Sequence, residues 1–155
     1  MSGHLILVRS HASLLDGPVV ARYLHQIGGH RGYLFGVDSD YARHPFWRLA
    51  LAAYGWIHDR QRMIALDQRS PMGLRLILRT LSAGHGVVLF PQGTGISNPA
   101  RPDLPGASWL IRKTRCLVTE IRLDHSRRIP QVVHQGCERR ATRVGYMQKE
   151  IDRRS

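Results

Sequence analysis

Leu5-Ile6-Leu7-Val8-Arg9-Ser10-His11-Ala12-Ser13-Leu14-Leu15-Asp16-Gly17-Pro18-Val19-Val20 opens the chain with an apolar run, a polar turn and the start of a second apolar segment. Four consecutive apolar residues, Leu5 to Val8, fit a strand buried on both faces. The segment from Val19 to Ile27 has helical character and stops at Gly28-Gly29. The same strand-then-helix order recurs along the chain. Gly32–Val37 is a second strand and Phe46–Ile57 a helix entered after Pro45. Met63–Leu66 is a third strand, followed by a helix from about Pro71 to Leu81 that ends at Gly84. Gly86–Phe90 is a fourth strand, and a helix around Ala107–Thr114 leads into a fifth, Cys116–Leu123. Alternation of this kind predicts an α/β fold, a mainly parallel or mixed central sheet flanked by helices. In such sheets ligands sit beyond the carboxyl ends of the strands. That edge should carry the Ser10–Asp16 turn, the Asp67–Ser70 turn and the Pro91–Pro105 loop.

A chain of 155 residues with 43% hydrophobic and 22% charged side chains is long enough for one substantial core. Residues 1–125 read as one α/β domain and 126–155 as a basic C-terminal extension, rich in arginine and poor in apolar side chains. A short strand at Gln131–His134 and a frayed helix near the end are the only elements expected there. Twenty-three Lys and Arg against eleven Asp and Glu leave a net charge of +12, almost wholly arginine. This balance suits anionic partners, whether nucleic acid, an acidic carrier protein or an anionic membrane surface, and does not choose among them. No run approaches the ~18 apolar residues of a membrane span, so contact with a membrane would be peripheral. Cys116 and Cys137 form no disulfide framework, and nothing at the start resembles a signal peptide, which makes the cytoplasm the expected compartment.

Two short stretches can carry chemistry. In His11-x4-Asp16, a histidine at a strand end is open to substrate. A carboxylate five residues on can fold back to hold one ring nitrogen, leaving the other to take a hydroxyl proton. Taken alone the spacing is weak. Asp16 equally fits a helix cap, with Gly17 and Pro18 in the first turn and Ser13-x-x-Asp16 resembling a capping box. The second stretch is Phe90-Pro91-Gln92-Gly93-Thr94, whose glycine allows close backbone approach to an anion. It is neither a Walker loop nor a dinucleotide fingerprint. The remaining histidines, His125 among them, show no metal-ligand spacing and read as solvent-facing or core residues, so no metal is expected.

Together, His11-x4-Asp16 and Phe90–Thr94 resemble the first and third motifs of the glycerolipid acyltransferase family. That family includes lysophosphatidate acyltransferases and the acyltransferase half of acylglycerophosphoethanolamine acyltransferase/acyl-carrier synthetases. Met63-Ile64-Ala65-Leu66-Asp67 is similar to the second motif. Leu104-Pro105-Gly106-Ala107 with Leu117-Val118-Thr119 stands in the place of the fourth. The resemblance implies a transferase of phospholipid metabolism, moving a fatty acyl group from coenzyme A or acyl carrier protein to a lysophospholipid hydroxyl without a cofactor. It makes His11 the general base and Asp16 its orienting partner. It gives Arg69, Phe90, Pro91, Gln92, Gly93 and Thr94 to substrate binding, and the Phe46–Ile57 helix to one wall of the acyl groove. Gln92 stands where the family usually has Glu, Gly95 where it has Arg and Thr119 where it has Pro, while Arg69 is displaced by one place. Arg69 or Arg101 would then be the substitute anion anchor. An alternative that these departures motivate is a catalytically impaired member that binds lipid or acyl carrier. A nucleic-acid-binding protein ranks below both, since no recognised binding motif is present.

Overall fold

The computed structural model describes residues 3–13, 15–27, 32–38, 45, 49, 62–66, 71–93, 102–136 and 139–140. The expected helix at 46–57 therefore lies outside the described residues apart from Leu49. Arg69, Thr94, Gly95, Arg101 and the helix expected near the end lie outside them too.

The described elements follow in the order β1 (His4–Arg9), α1 (Asp16–Gln26), β2 (Leu34–Asp38), β3 (Arg62–Leu66), α2 (Met72–Ser82), β4 (Gly86–Leu89), α3 (Pro105–Thr114), β5 (Leu117–Asp124), β6 (Gln131–Gln135) and β7 (Arg139–Arg140). They build one sheet in the order β3-β2-β4-β1-β5-β6, with β7 also paired to β5. The first five strands are parallel and the last two pairings antiparallel, so the sheet is mixed, as expected. β1 lies between β4 and β5, with Leu7 opposite Leu89 and Arg9 opposite Arg122. This placement matters most for the site, because whatever follows β1, β4 and β5 meets at one edge.

Period-two geometry divides each strand between two core layers. Leu5, Leu7, Val87 and Leu89 pack with Ile77 and Leu81 of α2 and Leu110 and Ile111 of α3. Ile6, Val8, Val88 and Ile121 face the other way, against Val20, Ala21 and Leu24 of α1. Burial on both faces explains why β1 and β4 read as unbroken apolar runs rather than alternating ones. Each fully buried aliphatic side chain contributes about 1.5–3 kcal/mol relative to exposure.

Helix α1 begins at Asp16, three residues before the expected Val19, because Asp16, Gly17 and Pro18 form its first turn. A carboxylate there suits the positive end of the helix dipole, and proline lacks an N–H that the first turn would leave unpaired anyway. Helix α3 ends on Arg115, whose φ of 50° lies in the left-handed region. For a side-chain-bearing residue that conformation costs about 1–2 kcal/mol, partly offset by the greater freedom glycine has when unfolded. Arg115→Gly is therefore expected to stabilise the fold by about 0.5–1 kcal/mol, raising Tm by roughly 1–4 °C. A lower Tm on thermal unfolding would show that the arginine side chain contributes more than its backbone strain removes.

Candidate active site

The site grows from the end of β1. Ser10 adopts φ 68°, a left-handed conformation that turns the chain sharply out of the strand and delivers His11 to the sheet edge. There the His11 Nδ1–H donates to Asp16 Oδ2 at 2.8 Å. The same oxygen accepts the backbone N–H groups of Ala12 at 2.9 Å and Ser13 at 3.0 Å. Both readings of Asp16 thus hold at once. It sits in the first turn of a helix and reaches back to the Ser13 N–H as a capping box would, and it also orients the histidine. The Ser13 hydroxyl departs from the box by accepting from the Leu15 N–H.

Asp16 is fully buried. Burial alone would raise its carboxyl pKa, but hydrogen bonds from His11, Ser13 N–H, His125 and Ala12 N–H outweigh it and hold the group below the ordinary carboxylate value. The carboxylate is therefore charged and satisfied. With Nδ1 carrying the proton, the lone pair that remains on the His11 ring is on Nε2. The ring packs on Phe90 with centroids 4.5 Å apart, which fixes its plane, and its side chain keeps 15% exposure.

The second motif stretch closes on the first. Phe90 O accepts the Gly93 N–H at 3.0 Å, making Phe90-Pro91-Gln92-Gly93 a β-turn directly after β4. Proline suits its second position, and Gly93 takes φ 69°, which glycine alone adopts without strain. The Pro91 carbonyl accepts the Leu104 N–H at 2.7 Å, tying the far end of the loop to the turn. Gln92, buried in this turn, accepts the His11 backbone N–H through Oε1 at 3.2 Å. Because the Gly93 N–H is engaged inside the turn, it is not an oxyanion donor. What the turn demonstrably holds is the main chain of His11.

Arg9, at the last position of β1, donates from Nη1 to both carboxylate oxygens of Asp103 at 2.6 Å, and its Nη2 lies 3.5 Å from Glu120 Oε1. Burial opposes its charge, but the two carboxylates more than compensate, so its pKa is raised. The geometry clamps the segment before α3 to β1 and β5. A guanidinium already matched by two carboxylates is a poor phosphate anchor.

Of the residues expected at the site, the structure brings His11, Asp16, Phe90, Pro91, Gln92 and Gly93 together. Arg69 and Thr94 lie outside the described residues. Thr119 is not at the edge: it pairs with Ile6 inside the sheet, and its Oγ1 lies 2.8 Å from His4 Nε2. One residue differs from its sequence reading. His125, expected as an ordinary solvent-facing or core residue, places Nε2 2.8 Å from Asp16 Oδ1. The signal that would have found it is positional. A histidine directly follows β5, and β5 adjoins β1, so His125 and His11 emerge at the same edge. Among the described residues no group of three His, Cys, Asp or Glu side chains is arranged to hold a metal ion.

No solved structure matches the chain significantly. A family model described as acyltransferase matches residues 1–119, which includes His11, Asp16 and the whole Phe90–Thr94 stretch. With that match covering more than half of the sequence, and a histidine–aspartate pair in place at the sheet edge, the chain belongs to the acyltransferase family.

Proposed function

We propose that the chain transfers a fatty acyl group from a thioester, on coenzyme A or acyl carrier protein, to the hydroxyl of a lysophospholipid. The observation that carries this reading is the 2.8 Å contact between His11 Nδ1 and the buried carboxylate of Asp16. In the reaction, His11 Nε2 takes the proton of the acceptor hydroxyl as its oxygen attacks the thioester carbonyl. The tetrahedral intermediate collapses by breaking the C–S bond, and the imidazolium returns its proton to the departing thiolate. The products are an ester and a free thiol, and Asp16 stabilises the transient imidazolium throughout. Neither a cofactor nor a covalent enzyme intermediate enters these steps. Phe90, Pro91, Gln92, Gly93, Thr94 and Arg69 are proposed to line the acceptor site. Gln92 also supports an active rather than an impaired site, since its amide meets the structural demand of the His11 turn without a charge.

The acceptor preference follows from the same residues. Gly95 stands where family members commonly carry arginine, and Gln92 where they carry Glu, so the site loses a charge of each sign. Lysophosphatidate is expected to be a poor acceptor, and a lysolipid with a zwitterionic or phosphate-free head a better one. Acyl transfer measured against a panel of lysolipids checks this. Selective use of lysophosphatidate would mean that Arg69 or Arg101 serves as the anion anchor.

Peripheral attachment at the inner, anionic face of the membrane is part of the proposal. Among the described residues no helix is long and apolar enough to cross a membrane. The short link Ala83–His85 joins α2 to the start of β4, so α2 runs against the strands and Met72 lies towards the site edge. Met72 and Leu76 are exposed large hydrophobics, and Arg75 and Arg79 are exposed on the same helix. That stripe suits a headgroup boundary, with apolar side chains inserted and arginines at the phosphates. Replacing both Arg75 and Arg79 by Gln is expected to weaken partition onto anionic vesicles by roughly 30-fold, at about 1 kcal/mol per arginine. Binding should fall with salt as well. Equal binding to neutral and anionic vesicles in co-sedimentation would contradict this attachment.

A further inference from the structure

The carboxylate of Asp16 has two oxygens in different employment. Oδ2 takes three donors from the turn that it helps to build, His11 Nδ1 and the N–H groups of Ala12 and Ser13. Oδ1 takes the His125 Nε2–H, at 2.8 Å, across 109 residues of sequence. Asp16 is wholly buried, so a lone pair on Oδ1 has no water to fall back on. His125 itself is held. It lies between Asp124, the last residue of β5, and Ser126, whose N–H and hydroxyl both donate to the Asp124 carboxylate, at 3.0 and 2.7 Å. That local turn fixes the backbone on either side of the ring.

Resting on the acyl-transfer reading of His11 and Asp16, we propose that His125 is a positioning residue of the same site, setting the orientation of Asp16 and through it the basicity of His11. His125 lies beyond residues 1–119, the part of the chain that the acyltransferase family model matches, so the family match assigns it nothing. A carboxylate that gives part of its charge to a second imidazole stabilises the His11 imidazolium less, and its plane is pinned by donors on both oxygens. Among the described residues, the charged or titratable neighbours of His125 are Asp16 from α1 and Asp124 beside it, with Arg127 acting on the same Asp124 carboxylate and His11 across the Asp16 carboxylate.

The test compares the wild-type chain with His125→Gln and His125→Phe. Glutamine can present an amide N–H where Nε2 stood, without titrating, whereas phenylalanine keeps a flat ring and has no donor. Two measurements are made on each: histidine side-chain titration by nitrogen NMR, and the pH dependence of acyl transfer. In His125→Phe the unshared Asp16 charge holds the His11 proton more firmly. The His11 titration and the acid limb of kcat/KM are therefore expected to move to higher pH. Turnover should fall about 10–100-fold, the usual range for partners one step removed from the reacting groups, with acceptor KM nearly unchanged. His125→Gln should restore both the limb and most of the turnover. Unmoved His11 titration in His125→Phe, with cooperative unfolding intact, would overturn the proposal, as would a loss confined to KM. The NMR arm decides the coupling even if no acceptor is turned over. A shifted His11 without acyl transfer would uphold His125 while removing the acyl-transfer reading.

Discussion

Replacement of His11 by alanine is expected to lower acyl transfer by about 10²–10⁴-fold, the range a well-placed general base contributes. The expectation rests on geometry. His11 is the imidazole whose one nitrogen is tied to a buried carboxylate at the carboxyl edge of β1, leaving Nε2 to receive a proton. Its ring packs on Phe90 and supplies one of the four donors to Asp16, and the other three remain in the variant, so a loss of about 1 kcal/mol, roughly 2–4 °C in Tm, is expected with folding retained. Loss of turnover with retained folding, and with lipid binding retained, separates a chemical role from a structural one. Turnover within a few-fold of wild type would show that another group takes the proton.

Asp16 should show the opposite balance, because its removal damages both the chemistry and the fold. Four donors converge on one buried carboxylate. Leaving buried donors unpaired costs about 1–3 kcal/mol each, with incomplete additivity. Asp16→Ala is therefore expected to destabilise the chain by about 3 kcal/mol, or roughly 6–12 °C in Tm. Asp16→Asn keeps the shape but not the charge that stabilises the imidazolium, and turnover should fall by about 10²–10⁴-fold. The pH dependence has a defined sign. In the folded state the carboxyl lies below its ordinary value of about 4, so the unfolded chain binds more protons in that window. The stabilisation from Asp16 is thus complete above the unfolded value and disappears as pH falls through the folded one. Wild type and Asp16→Ala should differ at neutral pH and converge in acid. A Tm gap that persists unchanged in acid would indicate that packing, not the charged carboxylate, is what the variant loses.

The parts of this molecule legible in its sequence are those governed by local pattern. Leu5–Val8 and Gly86–Leu89 announce themselves because both faces are buried, and all five parallel strands fall within a few residues of their expected places. The Gln131–His134 strand was legible too, although its partner was not: it extends β5 antiparallel, with a register shift between Arg122 and Leu123. Helix α1 starts earlier than its apolar pattern because its first turn is built from Asp16, Gly17 and Pro18. The His11–Asp16 contact was readable because five residues span one turn. Contacts made by strand adjacency were not. Nothing local joins Gln92 to the His11 N–H or His125 to Asp16, and both arise because β4 and β5 flank β1. Nothing local pairs Arg9 with Asp103 and Glu120 either, since these carboxylates reach it only once the strands are assembled.

Direct acyl transfer from a thioester to a lysolipid hydroxyl at His11 can be followed through both halves of the reaction in one vessel. Purified chain is mixed with an isotopically labelled acyl thioester and a zwitterionic lysolipid in anionic vesicles. Free thiol and acylated lipid are then quantified over time, with His11→Ala alongside. Direct transfer at His11 predicts equal amounts of thiol and acylated product, thiol release that requires the acceptor, no acyl group left on the protein, and a variant slower by at least about 10²-fold. Thiol release without acceptor, an acylated protein on the path to product, or no acylated lipid from any lysolipid offered would contradict it.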